Sequence, residues 1–250
     1  MEDPSVLVGA LQPGYLPWLG FFDQADRSDV FVLYDDLPFD RRSWRQRNRI
    51  KTPQGPAWLS VPIAHRHESG APPPTILEAP IAAGHPWRRQ HWEAIRHCYA
   101  ATPYFDDHAP FFEQVFARDW TELGALTLHV IDYLLDRLGI RSRVVRSSQI
   151  GLERAFRARG FHADRRTERI AFLVRELGGT AFLEGAAGRS YIDEAILAAQ
   201  QVGVVYQDYR HPAYPQRFGQ FAPYLSTIDL LFNCGPESLA VIRRGRDADD

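Results

Sequence analysis

The feature that most constrains this chain lies at its start. Residues 6–11, Val-Leu-Val-Gly-Ala-Leu, form an unbroken apolar run, and Val30-Phe31-Val32-Leu33-Tyr34 forms a second. Between them stand the turn Gln12-Pro13-Gly14-Tyr15 and an apolar stretch from Leu16 to Ala25. Short apolar runs bounded by turn residues read as strands buried on both faces. Strand, glycine turn, helix and strand in that order make a βαβ unit, which implies a parallel sheet.

The rest of the chain extends that reading. Residues 58–63 read as a third strand. Residues 85–100, 110–118 and 121–138 carry apolar side chains at three- and four-residue spacing and read as helices. Arg143–Arg146, 181–183 and 204–206 read as short strands. Asp164 is placed to cap a helix that runs through Leu177 and closes at Gly178-Gly179. Ser190 and Asp193 resemble a capping box opening a helix to Gln201. Residues 225–232 and 237–242 look helical, and the Pro- and Ala-rich stretch 68–91 reads as a surface excursion. The expected fold is α/β, a Rossmann-like three-layer arrangement with a mostly parallel sheet and a helical middle segment. One domain over residues 1–250 is expected, with 85–140 an inserted or subdomain-like piece and 243–250 a frayed tail.

Composition matters mainly for what it excludes. No stretch approaches the length of apolar sequence needed to span a membrane, and the N-terminus lacks a basic start and an apolar core. Cys98 and Cys234 make no disulfide framework, so a reducing, cytoplasmic setting is expected. The net charge of −2 argues against a dedicated DNA-binding protein. Its distribution is uneven: residues 41–51 hold six cationic side chains and no acidic one. Lys51 is the only lysine in the chain.

Three motifs carry chemistry. The first is Gln12-Pro-Gly-Tyr-Leu-Pro-Trp-Leu-Gly-Phe-Phe22, at the carboxyl end of the first strand, where open α/β sheets bind ligands. Gly14 and Gly20 would admit close backbone approach, and Tyr15 and Trp18 offer faces for a flat ring; the same residues also suit a packed corner. The segment resembles nucleotidylyltransferase-type Rossmann domains, but the two histidines of that motif are absent, with Pro17 or Trp18 and Phe21 in their places. The second motif is the basic run Arg41-Arg-Ser-Trp-Arg-Gln-Arg-Asn-Arg-Ile-Lys51. Its guanidinium forks suit phosphate and carboxylate oxygens, with Trp44 and Asn48 adding a stacking face and an amide. A solvated basic face paired with acidic residues is the alternative. Asp35 and Asp36 end the second strand. Neighbours there alternate faces, so one carboxylate is expected in the cleft as general base or Mg²⁺ ligand, or else capping the turn. The third motif is the loop from His211 through Tyr214, Gln216 and Phe221 into Asn233 and Cys234. His211 is the histidine placed for general acid–base work, and Cys234 reads as a small buried residue more readily than as a nucleophile. His65-Arg66-His67 is too little for a metal site, no zinc-ligand spacing occurs, and the sequence specifies no cofactor.

The first motif, residues 42–51, and the stretch from Pro212 to Gly235 together resemble the WbqC-like protein family; Glu184-Gly185 and Tyr191-Ile-Asp193 look like a fourth piece. The resemblance spans roughly residues 8 to 238. Two departures stand out: Gln46 stands where an arginine- or asparagine-rich pattern is expected, and Glu184 where serine would precede the glycine. The resemblance implies an enzyme of surface-polysaccharide or natural-product pathways that places an acyl or aminoacyl group on an amine. In that reading Asp35, Asp36 and His211 are catalytic. Gln12, Tyr15, Trp18, Gly20, Arg42, Trp44, Arg45, Arg47, Asn48, Arg49, Lys51, Glu184, Tyr214, Gln216 and Asn233 bind a small anionic substrate, with aminoacyl-tRNA or another acyl donor as partner. Two rivals are carried forward: a non-catalytic nucleotide- or tRNA-binding protein, and a nucleotidyltransferase.

Overall fold

A computed structural model describes residues 5–40, 42–64, 73–161 and 165–246. Along the chain run β1 (Leu7–Leu11), α1 (Leu19–Arg27), β2 (Val30–Leu33), β3 (Arg47–Thr52) and β4 (Gly55–Ser60). Then come α2 (Trp87–Tyr99), α3 (Phe105–Ala117), α4 (Leu123–Leu138), β5 (Arg143–Arg146), α5 (Ser147–Ile150), α6 (Leu152–Ala158) and α7 (Arg166–Glu176). β6 (Ala181–Gly185), α8 (Glu194–Ala199), β7 (Gly203–Gln207), α9 (Thr227–Cys234) and α10 (Ser238–Arg244) complete it. The residues sort into two compact units. One comprises 1–12, 23–37 and 140–210, the other 13–22, 38–139 and 211–250.

The first unit holds a five-stranded sheet in the order β5-β2-β1-β6-β7, every neighbouring pair parallel. The expected Rossmann-like α/β fold is therefore present. The chain builds outward from β1 through β2 to β5, then returns to the other side of β1 with β6 and β7. That reversal between β1 and β6 is the topological switch point at which doubly wound sheets bind ligands. The apolar runs recognised in the sequence form the sheet because Val8, Val30 and Val32 are buried against Phe156 of α6, Phe172 and Val174 of α7 and Leu197 of α8. Burying side chains of this size stabilises the unit by about 1.5–3 kcal/mol each. α8 is capped by Asp193, whose carboxylate accepts from the Ala195 and Ile196 amides. Ser190 instead ends a 3₁₀ turn, Ala186–Ser190. Asp164 lies outside the described residues, as do Arg41 and residues 65–67.

The second unit is built from the antiparallel hairpin β3–β4 and the helices α2, α3, α4, α9 and α10. Its core is aromatic: the Phe232 ring lies 5.1 Å from Tyr99, 5.4 Å from Phe105 and 5.6 Å from Phe112. α3 starts five residues before the Pro110 start read from the sequence. Asp106 and Asp107 in its first turn favour the helix N-terminus, and the helix continues through the proline. α4 stops at Gly139, whose left-handed φ of 73° costs glycine little. The strand read at 58–63 is the second strand of the hairpin, displaced to Gly55–Ser60. The basic run itself supplies the first strand.

Candidate functional site

In the second unit strand alternation sorts the basic run onto two faces of β3. Arg47, Arg49 and Lys51 share one face of β3, while Asn48 and Ile50 point the other way. Arg49 stands directly opposite Trp58 of β4. The Arg47 and Arg49 guanidinium carbons lie 4.8 Å and 5.6 Å from the Trp58 ring centroid. Trp44 packs against Trp58 with centroids 4.9 Å apart, and Arg47 lies 5.9 Å from the Trp44 ring. Both indoles are exposed, Trp44 at 57 % and Trp58 at 43 %. Guanidinium planes held against indoles are oriented before a ligand arrives, and each contact contributes about 0.5–1 kcal/mol. Nε of Arg47 and Nε of Arg49 are both covered and have no hydrogen-bond partner, while Arg49 Nη2 donates to the Tyr224 carbonyl at 3.2 Å.

The other cationic and amide residues of the run have different surroundings. Arg42 is exposed on a turn stabilised by Asp40, which accepts from the Arg42 amide at 2.9 Å. Arg45 is partly covered; burial lowers its guanidinium, with Asp40 acting in the opposite direction. Its carbonyl accepts from the Tyr15 amide at 2.8 Å. Asn48 is buried and donates to the Leu16 carbonyl at 2.5 Å, which ties β3 to the aromatic turn. Tyr15 is buried too, with its hydroxyl 2.9 Å from His91 Nδ1. The Trp18 indole lies against Gly20, where any Cβ would collide with it, and its ring centroid is 5.9 Å from Tyr224.

Lys51 sits in a buried network that no local pattern announces. Lys51 is 2 % exposed, and its ammonium donates to Gln216 Oε1 at 3.1 Å and to the Gln220 carbonyl at 2.5 Å. Gln216 donates in turn to Asp229 Oδ2 at 2.9 Å, Tyr214 donates to the same oxygen at 2.8 Å, and Tyr99 donates to Oδ1 at 2.7 Å. Burial pushes the Asp229 carboxyl up, while the two hydroxyls, Gln216 and Lys51 pull it down. Asn233 donates to the Asp229 carbonyl at 2.7 Å. The one available signal was a carboxylate within the apolar run at 225–232. His211 is ringed by Phe221 and Tyr224, with centroids at 5.8 Å and 5.5 Å, and burial lowers its pKa. Cys98 and Cys234 are free thiols, and burial raises both.

His91 makes a pH-dependent contribution of its own. Burial, with His85 adding to it, lowers it from 6.5 to about 4. A depressed folded-state value contributes stability that is present above the unfolded value and is lost as pH falls through the folded one. Thermal stability should therefore decline between pH 6.5 and about 4. Unfolding scans should show a shallower decline in His91→Gln.

In the first unit, groups collect at the carboxyl ends of the strands. Gln12 follows β1, Asp35 and Asp36 follow β2, and Glu184-Gly185 closes β6. Asp35 is fully buried and accepts from Ser147 Oγ at 3.0 Å, the Ser148 amide at 3.0 Å and Ser148 Oγ at 2.8 Å. Its oxygens thus hold the start of α5. Asp36 is only partly covered, accepts from Ser147 Oγ at 2.5 Å, and is raised chiefly by burial. Glu184 is likewise raised by burial and accepts from the Gly185 amide at 2.9 Å. Of the two carboxylates that follow β2, Asp36 is the more exposed.

Among the described residues no group of three or more His, Cys, Asp or Glu is arranged to hold a metal ion. No described helix is long and apolar enough to cross a membrane. The family model of the WbqC-like protein family matches residues 12–241. The chain is also 34 % identical, over 241 residues, to the uncharacterized protein Rv1507c of Mycobacterium tuberculosis (strain ATCC 25618 / H37Rv), an alignment that covers 94 % of this chain and 97 % of the relative. No solved structure matches. With a family model that runs from the aromatic turn into the last helix, the chain belongs to the WbqC-like protein family.

Proposed function

We propose that this protein is a group-transfer enzyme that places an acyl or aminoacyl group on an amine of a phosphate-bearing substrate, such as a nucleotide sugar or a natural-product precursor. The pathway setting is surface-polysaccharide or secondary-metabolite synthesis. The observation that carries the reading is the hairpin face on which Arg47 and Arg49 flank Trp58 beside Trp44. Two oriented forks and two exposed indoles match a ligand that combines an anion with a flat ring. In the reaction the acceptor nitrogen bonds to the acyl carbon and gives up its proton to a base. The bond from that carbon to the donor's leaving group breaks, the leaving group taking the electron pair. A base must be partly unprotonated near neutral pH and must bind a proton readily. Asp36 and Glu184, both raised by burial, move toward that range from below, whereas burial moves His211 away from it.

Incubation with acyl-coenzyme A or aminoacyl-tRNA and an amino-sugar nucleotide, followed by mass spectrometry, tests the reading. An amide product whose yield falls in Arg47→Ala/Arg49→Ala supports it. Release of pyrophosphate from ATP without an amide product would replace it with nucleotidyl transfer. The second reading, a nucleotide- or tRNA-binding protein without turnover, rests on the same hairpin face and requires affinity that falls steeply with salt.

A further inference from the structure

Beyond β2, within the first unit, two carboxyl groups converge on one hydroxyl, and a single serine hydrogen does not account for the contacts there. Ser147 Oγ lies 3.0 Å from Asp35 Oδ1 and 2.5 Å from Asp36 Oδ1, and it accepts from the Asp35 amide at 3.1 Å. A serine hydroxyl has one hydrogen and two lone pairs. One lone pair takes the Asp35 amide, and the hydrogen serves one carboxylate. The other lone pair then faces the second carboxyl oxygen, and two lone pairs do not close to hydrogen-bond distance. A second hydrogen is required, and a protonated carboxyl supplies it.

The surroundings decide which carboxyl holds it. Asp35 is fully buried, and Ser148 bonds both its oxygens, through the amide at 3.0 Å and the hydroxyl at 2.8 Å. Hydrogen bonds donated to a carboxylate keep it ionised. Asp36 stands at the short end of the O–H···O range from Ser147 and is only half-buried, so a ligand can reach it. Burial is the main influence raising Asp36, and the charges of Asp35 and of Glu153 on α6 add to it. A hydrogen from Ser147 would pull it down, but that hydrogen is taken by Asp35. Glu153 is held in turn by the Tyr34 hydroxyl and by the guanidinium groups of Arg157 on α6 and Arg169 on α7.

We infer that Asp36 carries the proton of the Asp35–Asp36 pair and acts as general acid toward the oxygen of a departing alcohol. The acid role rests on the group-transfer reading; the proton does not. In the step, the acceptor nitrogen bonds to the acyl carbon and the carbon–oxygen bond breaks. The electron pair of that bond takes the Asp36 proton to form the alcohol's O–H. Asp36 is left as a carboxylate, and the proton lost by the nitrogen goes to a separate base, for which Glu184 remains. A thiol leaves as thiolate near neutral pH and has less need of an acid. The donor class this arrangement favours is therefore an oxygen ester, such as an aminoacyl ester, over a thioester.

Carboxyl ¹³C NMR of the full chain, uniformly labelled and titrated with pH, reads the proton directly, with the Asp36 signal assigned by through-bond correlation to its own backbone. Asp36 is expected to keep its proton at a pH where the other aspartates have lost theirs, and the Asp35 signal should shift with it as the shared serine turns. Titration of Asp36 together with the other aspartates overturns the inference. In transfer to an amino-sugar nucleotide, Asp36→Asn is expected to lose about 100-fold with aminoacyl-tRNA and less than about ten-fold with acyl-coenzyme A. Equal losses with both donors, or turnover of the thioester alone, would remove the acid role. A retained Asp36 proton in a protein that forms no amide product would remove the transfer reading and leave the shared proton standing.

Discussion

Arg47→Ala/Arg49→Ala is expected to weaken binding of a phosphate-bearing ligand by at least about 100-fold, since each charge-assisted hydrogen bond contributes about 1.5–3 kcal/mol. The fold should survive. Both side chains lie on the hairpin surface, and their contacts with Trp58 and Trp44 are worth about 0.5–1 kcal/mol apiece. Isothermal titration at fixed low salt, paired with a thermal scan, separates the two effects. Arg→Lys at both positions should restore only part of the affinity. An ammonium keeps the charge but loses the planar fork and its stacking on the indole. Unchanged affinity in the alanine pair would remove the hairpin from the account.

Asp229→Ala should produce the largest loss of stability, about 3–5 kcal/mol, because it strands several buried polar groups at once. Tyr99, Tyr214 and Gln216 all donate to this carboxylate, and Gln216 also holds Lys51. For a chain of this length that corresponds to a fall in melting temperature of about 10 °C. Asp229→Asn is expected to cost about 1 kcal/mol. It keeps one acceptor oxygen, and a tyrosine hydroxyl can rotate to accept from the new amide. Burial already raises the carboxyl at this position, so acceptor geometry matters more than charge. The defect should also reach the hairpin. Gln216 bonds both the amide and the carbonyl of Ala222, in the loop that leads to the Tyr224 carbonyl holding Arg49. Ligand affinity should therefore fall in Asp229→Ala beyond what loss of folded protein explains. Chemical denaturation of the two variants, with binding measured well below their midpoints, checks both points.

The sheet was legible because burial on both faces leaves an unbroken apolar run, and the runs at 6–11 and 30–34 became β1 and β2. The hairpin was not. Arg47-Asn48-Arg49-Ile50-Lys51-Thr52 alternates faces without alternating polarity, so nothing in its pattern announces a strand. Only the pairing of Arg49 with Trp58 shows that the basic run and the tryptophan make one surface. Asp35 and Asp36 are indistinguishable in sequence. What separates them is Ser148, far along the chain, whose amide and hydroxyl both bond Asp35, while Ser147 lies against both carboxylates. Lys51 looked like the last member of a cationic cluster, yet distant Gln216 and Gln220 pin it inside the second unit. Hydrogen bonds from Gln207 to Asp23 and from Gln24 to Gln207 likewise join α1 to the end of β7, a contact that local pattern does not encode.

The most direct test of the central claim is a thermal-shift panel on the unsubstituted protein at low salt. It would hold ATP with and without Mg²⁺, a nucleotide sugar, acyl-coenzyme A and bulk aminoacylated tRNA. A ligand that binds only the folded chain raises the melting temperature with the logarithm of its concentration relative to its Kd. A clear rise is expected with at least one phosphate-bearing class, lost in Arg47→Ala/Arg49→Ala. A flat response across the panel, or a rise that survives the double substitution, would contradict it.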